Sequence, residues 1–216
     1  MLAPIRVILV DDHAIVREGV AYLLEAQADI RVTGSFGDGA EAVRRAAAEP
    51  PDVAIVDIAM PGLNGIEVTR QIHDACAGTQ VVILSMYASP ESVHQALRAG
   101  ARGYVLKESA GAEVIEAVRA VHRGLRYVSR RIDADALERY IHERGADDPL
   151  EMLSTREREV LQLVVEGRTS AEIAAQLGLS PKSVETYRSR MMAKLEIEDL
   201  PALVKFAIRH GVTSME

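Results

Sequence analysis

Five short apolar runs alternate with helical patterns over the first 125 residues, and chemically useful polar residues close four of them. The strand-like runs are 5–10, 30–33, 53–57, 81–85 and 102–106. Between them lie segments with apolar spacings of three and four, such as Val16, Val20, Leu23 and Leu24, then Val93, Ala96 and Leu97. A fifth such segment carries Val114, Ile115, Val118 and Val121. Strict strand–helix alternation predicts a parallel sheet with helices on both faces. The first, third and fourth runs are almost unbroken in apolar character, as strands buried on both faces should be. Ligands of open α/β sheets sit outside the carboxyl ends of the strands. Asp11 and Asp12 after the first run, Asp57 at the end of the third, Ser85 at the end of the fourth and Lys107 after the fifth should therefore converge.

Three carboxylates, a hydroxyl and an ammonium in one crevice suit a divalent cation and a phosphoryl group. Clustered carboxylates repel unless a cation or proton shares the site, and Mg²⁺ takes oxygen ligands while keeping several waters. A carboxylate can itself accept a phosphoryl group as a covalent nucleophile. Asp57, alone at the end of the central strand, is the natural acceptor, with Asp11 and Asp12 on the metal side. Lys107 would place a point charge on the phosphoryl oxygens and Ser85 a hydroxyl donor. Each residue alone has a plainer explanation, because an Asp after a buried strand often caps the next helix. The Asp-Asp-His run before the first helix fits that reading well.

Bulk properties narrow the class. A chain of 216 residues with 48% hydrophobic and 26% charged residues fits a globular protein of two modest domains. The start is too acidic and its apolar run too short for a signal peptide, and no run is long enough to span a membrane, so the cytoplasm is the expected location. Cys76 is the only cysteine, which excludes an intrachain disulfide or a cysteine-rich metal site. The net charge of −7 offers no general attraction for nucleic acid. Residues 1–149 hold 16 Lys+Arg against 22 Asp+Glu, hence −6, and the remainder 9 against 10, hence −1. A DNA-binding claim must rest on a local patch.

Residues 124–150 are charge-rich, with at best one short helix around 134–143 and a break at 147–149, and read as an interdomain linker. Beyond them the helix punctuation is clear. Ser154-Thr155-Arg156-Glu157 and Thr169-Ser170-Ala171-Glu172 are capping boxes opening two helices. Gly178 ends the second, Ser180-Pro181 opens a third, and Asp199 and Gly211 bound a fourth. The second helix, the turn at 178–180 and the third helix form a helix-turn-helix. On the third helix Val184, Tyr187, Met191 and Leu195 face the core, and the opposite stripe carries Lys182, Glu185, Thr186 and Ser189. Arg188, Arg190 and Lys194 flank that stripe. Residues 180–194 carry four basic residues and one acidic, a local +3 suited to a helix in the major groove with cations reaching phosphates. The plainer alternative is an amphipathic helix with a solvated face.

The stretches Ile8–His13, Val56-Asp57-Ile58-Ala59-Met60-Pro61-Gly62, Leu84-Ser85 and Gly103-Tyr104-Val105-Leu106-Lys107 resemble the receiver domain of bacterial two-component response regulators, over residues 4–122. The resemblance implies a flavodoxin-like (βα)5 doubly wound parallel sheet of order 2-1-3-4-5 and a cytoplasmic histidine kinase as phosphodonor. It implies Mg²⁺ held by Asp11, Asp12, Asp57 and the backbone carbonyl of Ala59, and Ser85 with Tyr104 as the output switch. Phosphorylation of Asp57 would draw Ser85 and Lys107 toward the phosphate and let Tyr104 turn inward. Ala59 and Tyr87 occupy positions that tune phosphate lifetime in similar receivers. Met86 is larger than the residue often found after the switch hydroxyl, which predicts reduced access for water.

Residues 153–161, 171–174, 180–187 and 194–195 look like the LuxR-type DNA-binding domain, and the pairing resembles the NarL/FixJ class of transcription factors. The resemblance implies domains at 1–123 and 151–216, the second a smaller all-α helix-turn-helix unit. Positions 185, 186 and 189 would face bases, and the helix 199–210 would form a dimer contact. Many relatives carry Lys where this chain has Glu185; a carboxylate there accepts from cytosine N4 and cannot pair with guanine acceptors, so the operator should differ. The partners implied are double-stranded DNA, a cognate histidine kinase, a second copy after phosphorylation, and RNA polymerase. No enzymatic turnover is expected: phosphatases with an Asp nucleophile carry a second Asp two residues later, where this chain has Ala59. A helical domain binding protein or RNA is the remaining rival.

Overall fold

The computed structural model describes residues 3–144 and 149–213, and it divides into two compact units, Met1–Ile141 and His142–Glu216. The first unit is a parallel sheet of order β2-β1-β3-β4-β5-β6. Its strands are β1 (Ile5–Val10), β2 (Ile30–Phe36), β3 (Val53–Asp57), β4 (Gln80–Ser85), β5 (Gly103–Leu106) and β6 (Tyr127–Val128). The helices are α1 (Ala14–Glu25), α2 (Gly39–Ala48), α3 (Gly65–Ala75), α4 (Pro90–Arg98), α5 (Ala110–His122) and α6 (Ala134–Arg144).

Side chains leave a strand on alternate faces, and two cores result. Ile8, Val10, Ala54, Val56, Val81, Ile83, Tyr104 and Leu106 pack with α2, α3 and α4. Val7, Leu9, Val53, Ile55, Val82, Leu84 and Val105 pack with α1 and α5. Every residue of β3 is buried, so Asp57 ends a strand with no solvated face. Gly65 makes that ending possible: a Cβ there would lie 1.9 Å from the Asp57 carbonyl oxygen. Only glycine lets α3 start this close behind the strand.

Two strands differ from the sequence reading. β2 continues past Thr33 to Phe36 with alternating burial, because an edge strand needs only period-two apolarity and Gly34-Ser35 interrupt the visible run. The segment expected as linker contains β6, whose Tyr127 and Val128 pair with Gly103 and Tyr104. The Ser129 N–H then donates to the Tyr104 carbonyl at 2.8 Å, and its buried hydroxyl donates to Glu113 on α5. Ile132 and Leu137 join the core on the α4 side, and Tyr140 meets His94 edge-on at 5.6 Å. The helix expected around 134–143 is α6, and the compact unit runs to Ile141. Residues 145–148, and with them most of the expected break at 147–149, lie outside the described residues.

The second unit contains α7 (Thr155–Val165), α8 (Ser170–Leu177), α9 (Pro181–Lys194) and α10 (Leu200–Arg209), preceded by a 3₁₀ turn at Pro149–Met152. Both capping boxes are formed, Ser154 with Glu157 and Thr169 with Glu172. A cap of this kind contributes about 1 kcal/mol. Gly178 closes α8 in the left-handed region, φ 66°, where a side chain would be strained. Val160, Leu161, Ile173, Val184, Met191 and Leu203 form the core.

Candidate functional site

The carboxyl ends of β1, β3 and β5 bring Asp11, Asp57 and Lys107 into direct contact. The Lys107 ammonium donates to Asp57 Oδ2 at 2.8 Å and lies 2.8 Å from Asp11 Oδ2. Both buried carboxylates thus rest on the same ammonium. Asp12 is exposed beside them. One ligand atom each from Asp11, Asp12, His13 and Asp57 fall within 4.8 Å of one another. Burial raises the proton affinity of Asp57 above the ordinary carboxylate range. The Lys107 hydrogen bond and charge oppose this, the Asp11 charge reinforces it, and the Ala59 N–H opposes it. Burial lowers the Lys107 pKa, but hydrogen bonds and charge from Asp11 and Asp57 outweigh it, so the ammonium holds its proton more tightly than usual. One cation is therefore shared by two buried acids. A carboxylate set that one ammonium leaves under-compensated fits a hard divalent cation; the softer His13 nitrogen stands beside them.

Ser85 and Tyr104 are both inaccessible to solvent. Ser85 Oγ accepts from the Tyr87 N–H at 3.1 Å, and the Tyr104 hydroxyl donates to the Tyr87 carbonyl at 2.7 Å. Burial pushes the Tyr104 hydroxyl up to about 12, against a hydrogen bond with Ser85 that lowers it and an Asp57 charge that raises it. The tyrosine stands inward, its ring fully buried. Its hydroxyl finds a backbone acceptor, so the inward position leaves no buried donor unpaired. Met86 is 71% exposed.

In the second unit Val184 and Met191 are buried and Tyr187 and Leu195 half-buried, as the helical spacing predicts. Lys182, Glu185, Thr186, Ser189 and Arg190 form the exposed stripe of α9. The Thr186 hydroxyl bonds back to the Lys182 carbonyl at 3.0 Å. Arg188 is drawn toward the start of α8: its Nη1 donates to Ser170 Oγ at 3.1 Å and to Glu185 Oε1 at 3.4 Å. Ser170 in turn donates to Glu185. Lys194, which the sequence groups with the phosphate-reaching cations, instead binds Glu157 Oε2 at 2.6 Å and the Met152 carbonyl at 3.0 Å. Burial raises the Glu157 pKa, but Lys194 and the Ser154 N–H and hydroxyl outweigh it and hold the carboxyl below its ordinary range.

Three contributors were not singled out from the sequence. His13 turns its ring toward Asp11 and Asp12; its adjacency to the acidic pair was the available signal. Arg17 braces the end of β1 by donating to the Asp11 carbonyl, and Ser170 links α8 to α9. Neither has a signature short of the fold.

Residues 7–119 match the response regulator receiver domain, and residues 151–207 match the bacterial regulatory proteins of the luxR family. The chain is 37% identical to the transcriptional regulatory protein LiaR of Bacillus subtilis, over 97% of this chain and 100% of LiaR. It is 36% identical to the oxygen regulatory protein NreC of Staphylococcus carnosus, over 94% and 97%. Among solved structures, that of two RcsB dimers bound to two parallel DNAs superposes with a TM-score of 0.57 at 28% identity, covering 94% of this chain and 97% of that one. Sheet topology, acidic pocket and helix-turn-helix agree with these likenesses: the chain belongs to the two-component response regulators that join a receiver domain to a LuxR-type DNA-binding domain, and it is a transcriptional regulator of that family.

Proposed function

We propose that Asp57 accepts a phosphoryl group from a sensor histidine kinase and that this modification controls dimerisation and DNA binding. An Asp57 carboxylate oxygen forms a bond to phosphorus as the phosphorus–nitrogen bond of the donor phosphohistidine breaks, leaving the imidazole to take a proton. Asp11, Asp12, Asp57 and the carbonyl of Ala59 would hold Mg²⁺, which supplies neutralisation of phosphoryl charge. Lys107 follows the phosphoryl oxygens, Ser85 donates its hydroxyl to one of them, and the loop after β4 is released from the Ser85–Tyr87 contact. The modification adds about one and a half to two negative charges and three acceptor oxygens. Lys182, Thr186, Ser189 and Arg190 would meet DNA with Glu185 and Arg188 beside them, and Lys194 steadies the unit. No external substrate is turned over.

One observation carries this reading: a single ammonium 2.8 Å from both Asp57 and Asp11 at the strand ends. The test is incubation of the protein with acetyl phosphate and Mg²⁺, followed by intact-mass measurement, peptide mapping and a mobility shift on its own promoter DNA. Uptake of one phosphoryl group at Asp57 with tightened DNA binding is expected. Labelling elsewhere, or no DNA binding in either state, overturns it.

A further inference from the structure

His13 occupies the N-cap position of α1, yet its side chain makes no capping hydrogen bond. The ring turns back over the acidic pair. Nδ1 lies 2.9 Å from Asp12 Oδ1 and 3.2 Å from Asp11 Oδ1. The His13 backbone N–H also donates to Asp11 Oδ1 at 2.8 Å, which fixes that carboxylate relative to the ring. In a six-coordinate cation site with bonds of about 2.1 Å, neighbouring ligand atoms stand about 3.0 Å apart and opposite ones about 4.2 Å. Both His13 separations match such an edge. The full set of Asp11, Asp12, His13 and Asp57 donors, within 4.8 Å of one another, needs only a small contraction. Asp11 and Asp57 share one ammonium, which leaves the carboxylate set short of positive charge.

We infer that His13 is a fourth side-chain ligand of the divalent cation and tilts the pocket toward borderline first-row cations such as Mn²⁺ or Co²⁺ over Mg²⁺. The inference rests on the cation reading proposed above and deepens it. Mg²⁺ takes oxygen ligands and gives up water reluctantly, so an imidazole adds little for it. Later first-row ions gain from a nitrogen donor. The side chain of His13 is 60% exposed, so Nδ1 can face the pocket while the far edge of the ring stays in water. His13 would then act on which ion is bound, while Asp57 and Lys107 handle the phosphoryl group.

The test uses the full chain loaded with Mn²⁺ and pulsed electron paramagnetic resonance, which detects a directly bound ¹⁴N nucleus. Wild-type protein is expected to show imidazole nitrogen coupling that disappears in His13→Ala, with circular dichroism confirming that the variant is folded. In parallel titrations His13→Ala should weaken Mn²⁺ about tenfold more than it weakens Mg²⁺, the scale seen when a metal site loses a supporting group. Mn²⁺ bound without nitrogen coupling, or equal weakening of both ions, overturns the inference and makes His13 a hydrogen-bonded neighbour of the acids. Wild-type protein that binds neither Mn²⁺ nor Mg²⁺ removes the cation reading itself, a distinguishable failure.

Discussion

Asp57 in the sheet unit and Glu157 in the helical unit look alike on paper. Each is nearly inaccessible, 2% and 3% exposed, and each has one lysine against it, at 2.8 Å and 2.6 Å. Their proton affinities nevertheless move in opposite directions. Glu157 receives Lys194 together with the Ser154 N–H and hydroxyl, enough to outweigh its burial. Asp57 shares Lys107 with Asp11, whose own charge works against it. A saturated carboxylate is a strut. An under-compensated one stores unfavourable charge that a cation or phosphoryl group can relieve, and perturbed groups of that kind cluster where chemistry happens.

The sharpest way to break the comparison is to remove each acid. Asp57→Asn should abolish phosphate uptake from acetyl phosphate, read as the disappearance of the phosphorylated mass; retained labelling would put the acceptor elsewhere. Lys107→Met should slow uptake by about a hundredfold, the usual cost of losing one donor aimed at developing charge. Stability carries the sign. Because the folded state binds the Asp57 proton more tightly than the unfolded chain, its contribution is present at acid pH and is lost as pH rises through the raised value. Asp57→Asn should therefore gain on the wild type in thermal unfolding as pH climbs to neutrality. A gap that narrows instead would mean that Lys107 fully compensates the charge.

Glu157 should behave in the reverse sense. Its depressed pKa contributes stability above the ordinary carboxylate range that is lost as pH falls through the folded value. Glu157→Ala removes a capping box and leaves Lys194 with only the Met152 carbonyl, at a cost of about 2 kcal/mol in the urea unfolding of the helical unit. The variant should also lose part of the acid-induced destabilisation. An unchanged midpoint would mean that the Lys194 contact is not maintained in solution.

A smaller effect concerns the DNA face. The +3 read along 180–194 overstates the charge available to phosphates, because Lys194 is held by Glu157 and Arg188 lies against Glu185. Glu185→Gln should free Arg188, steepening the salt dependence of nonspecific DNA binding by about one unit. Glu185→Lys should alter sequence preference more than total affinity. A salt slope that does not move in the Gln variant would show that Ser170 alone keeps Arg188 off the phosphates.

How legible these features were depends on how far apart the partners sit. Asp57, Ser85 and Lys107 each end or follow an apolar run, so strand topology alone assembles them. The capping boxes span three residues and are equally plain. Lys194 finds its partner 37 positions away on another helix, and a helical wheel of α9 alone assigns it to the solvent side. β6 is two residues long in a charge-rich stretch, and its pairing depends on an open β5 edge rather than on its own pattern. The sign of the Asp57 shift follows from sharing Lys107 with Asp11, and only the geometry reveals that.

The inward Tyr104 was the least legible feature, since its acceptor is a backbone carbonyl, and it gives the smallest expected change. Tyr104→Phe keeps the ring packing and removes one hydrogen bond, to a carbonyl on a residue that is 40% exposed. Water can replace part of that bond, so the loss should be about 1 kcal/mol or less. Faster amide exchange should appear in the 86–89 loop, with the strands unaffected. If the hydroxyl is only a latch on that loop, phosphorylation should still tighten DNA binding in the variant. Complete loss of that response at unchanged stability would instead make the Tyr104 hydroxyl part of the signal, and the sheet unit would then store its switch in a hydrogen bond as well as in the charge around Asp57.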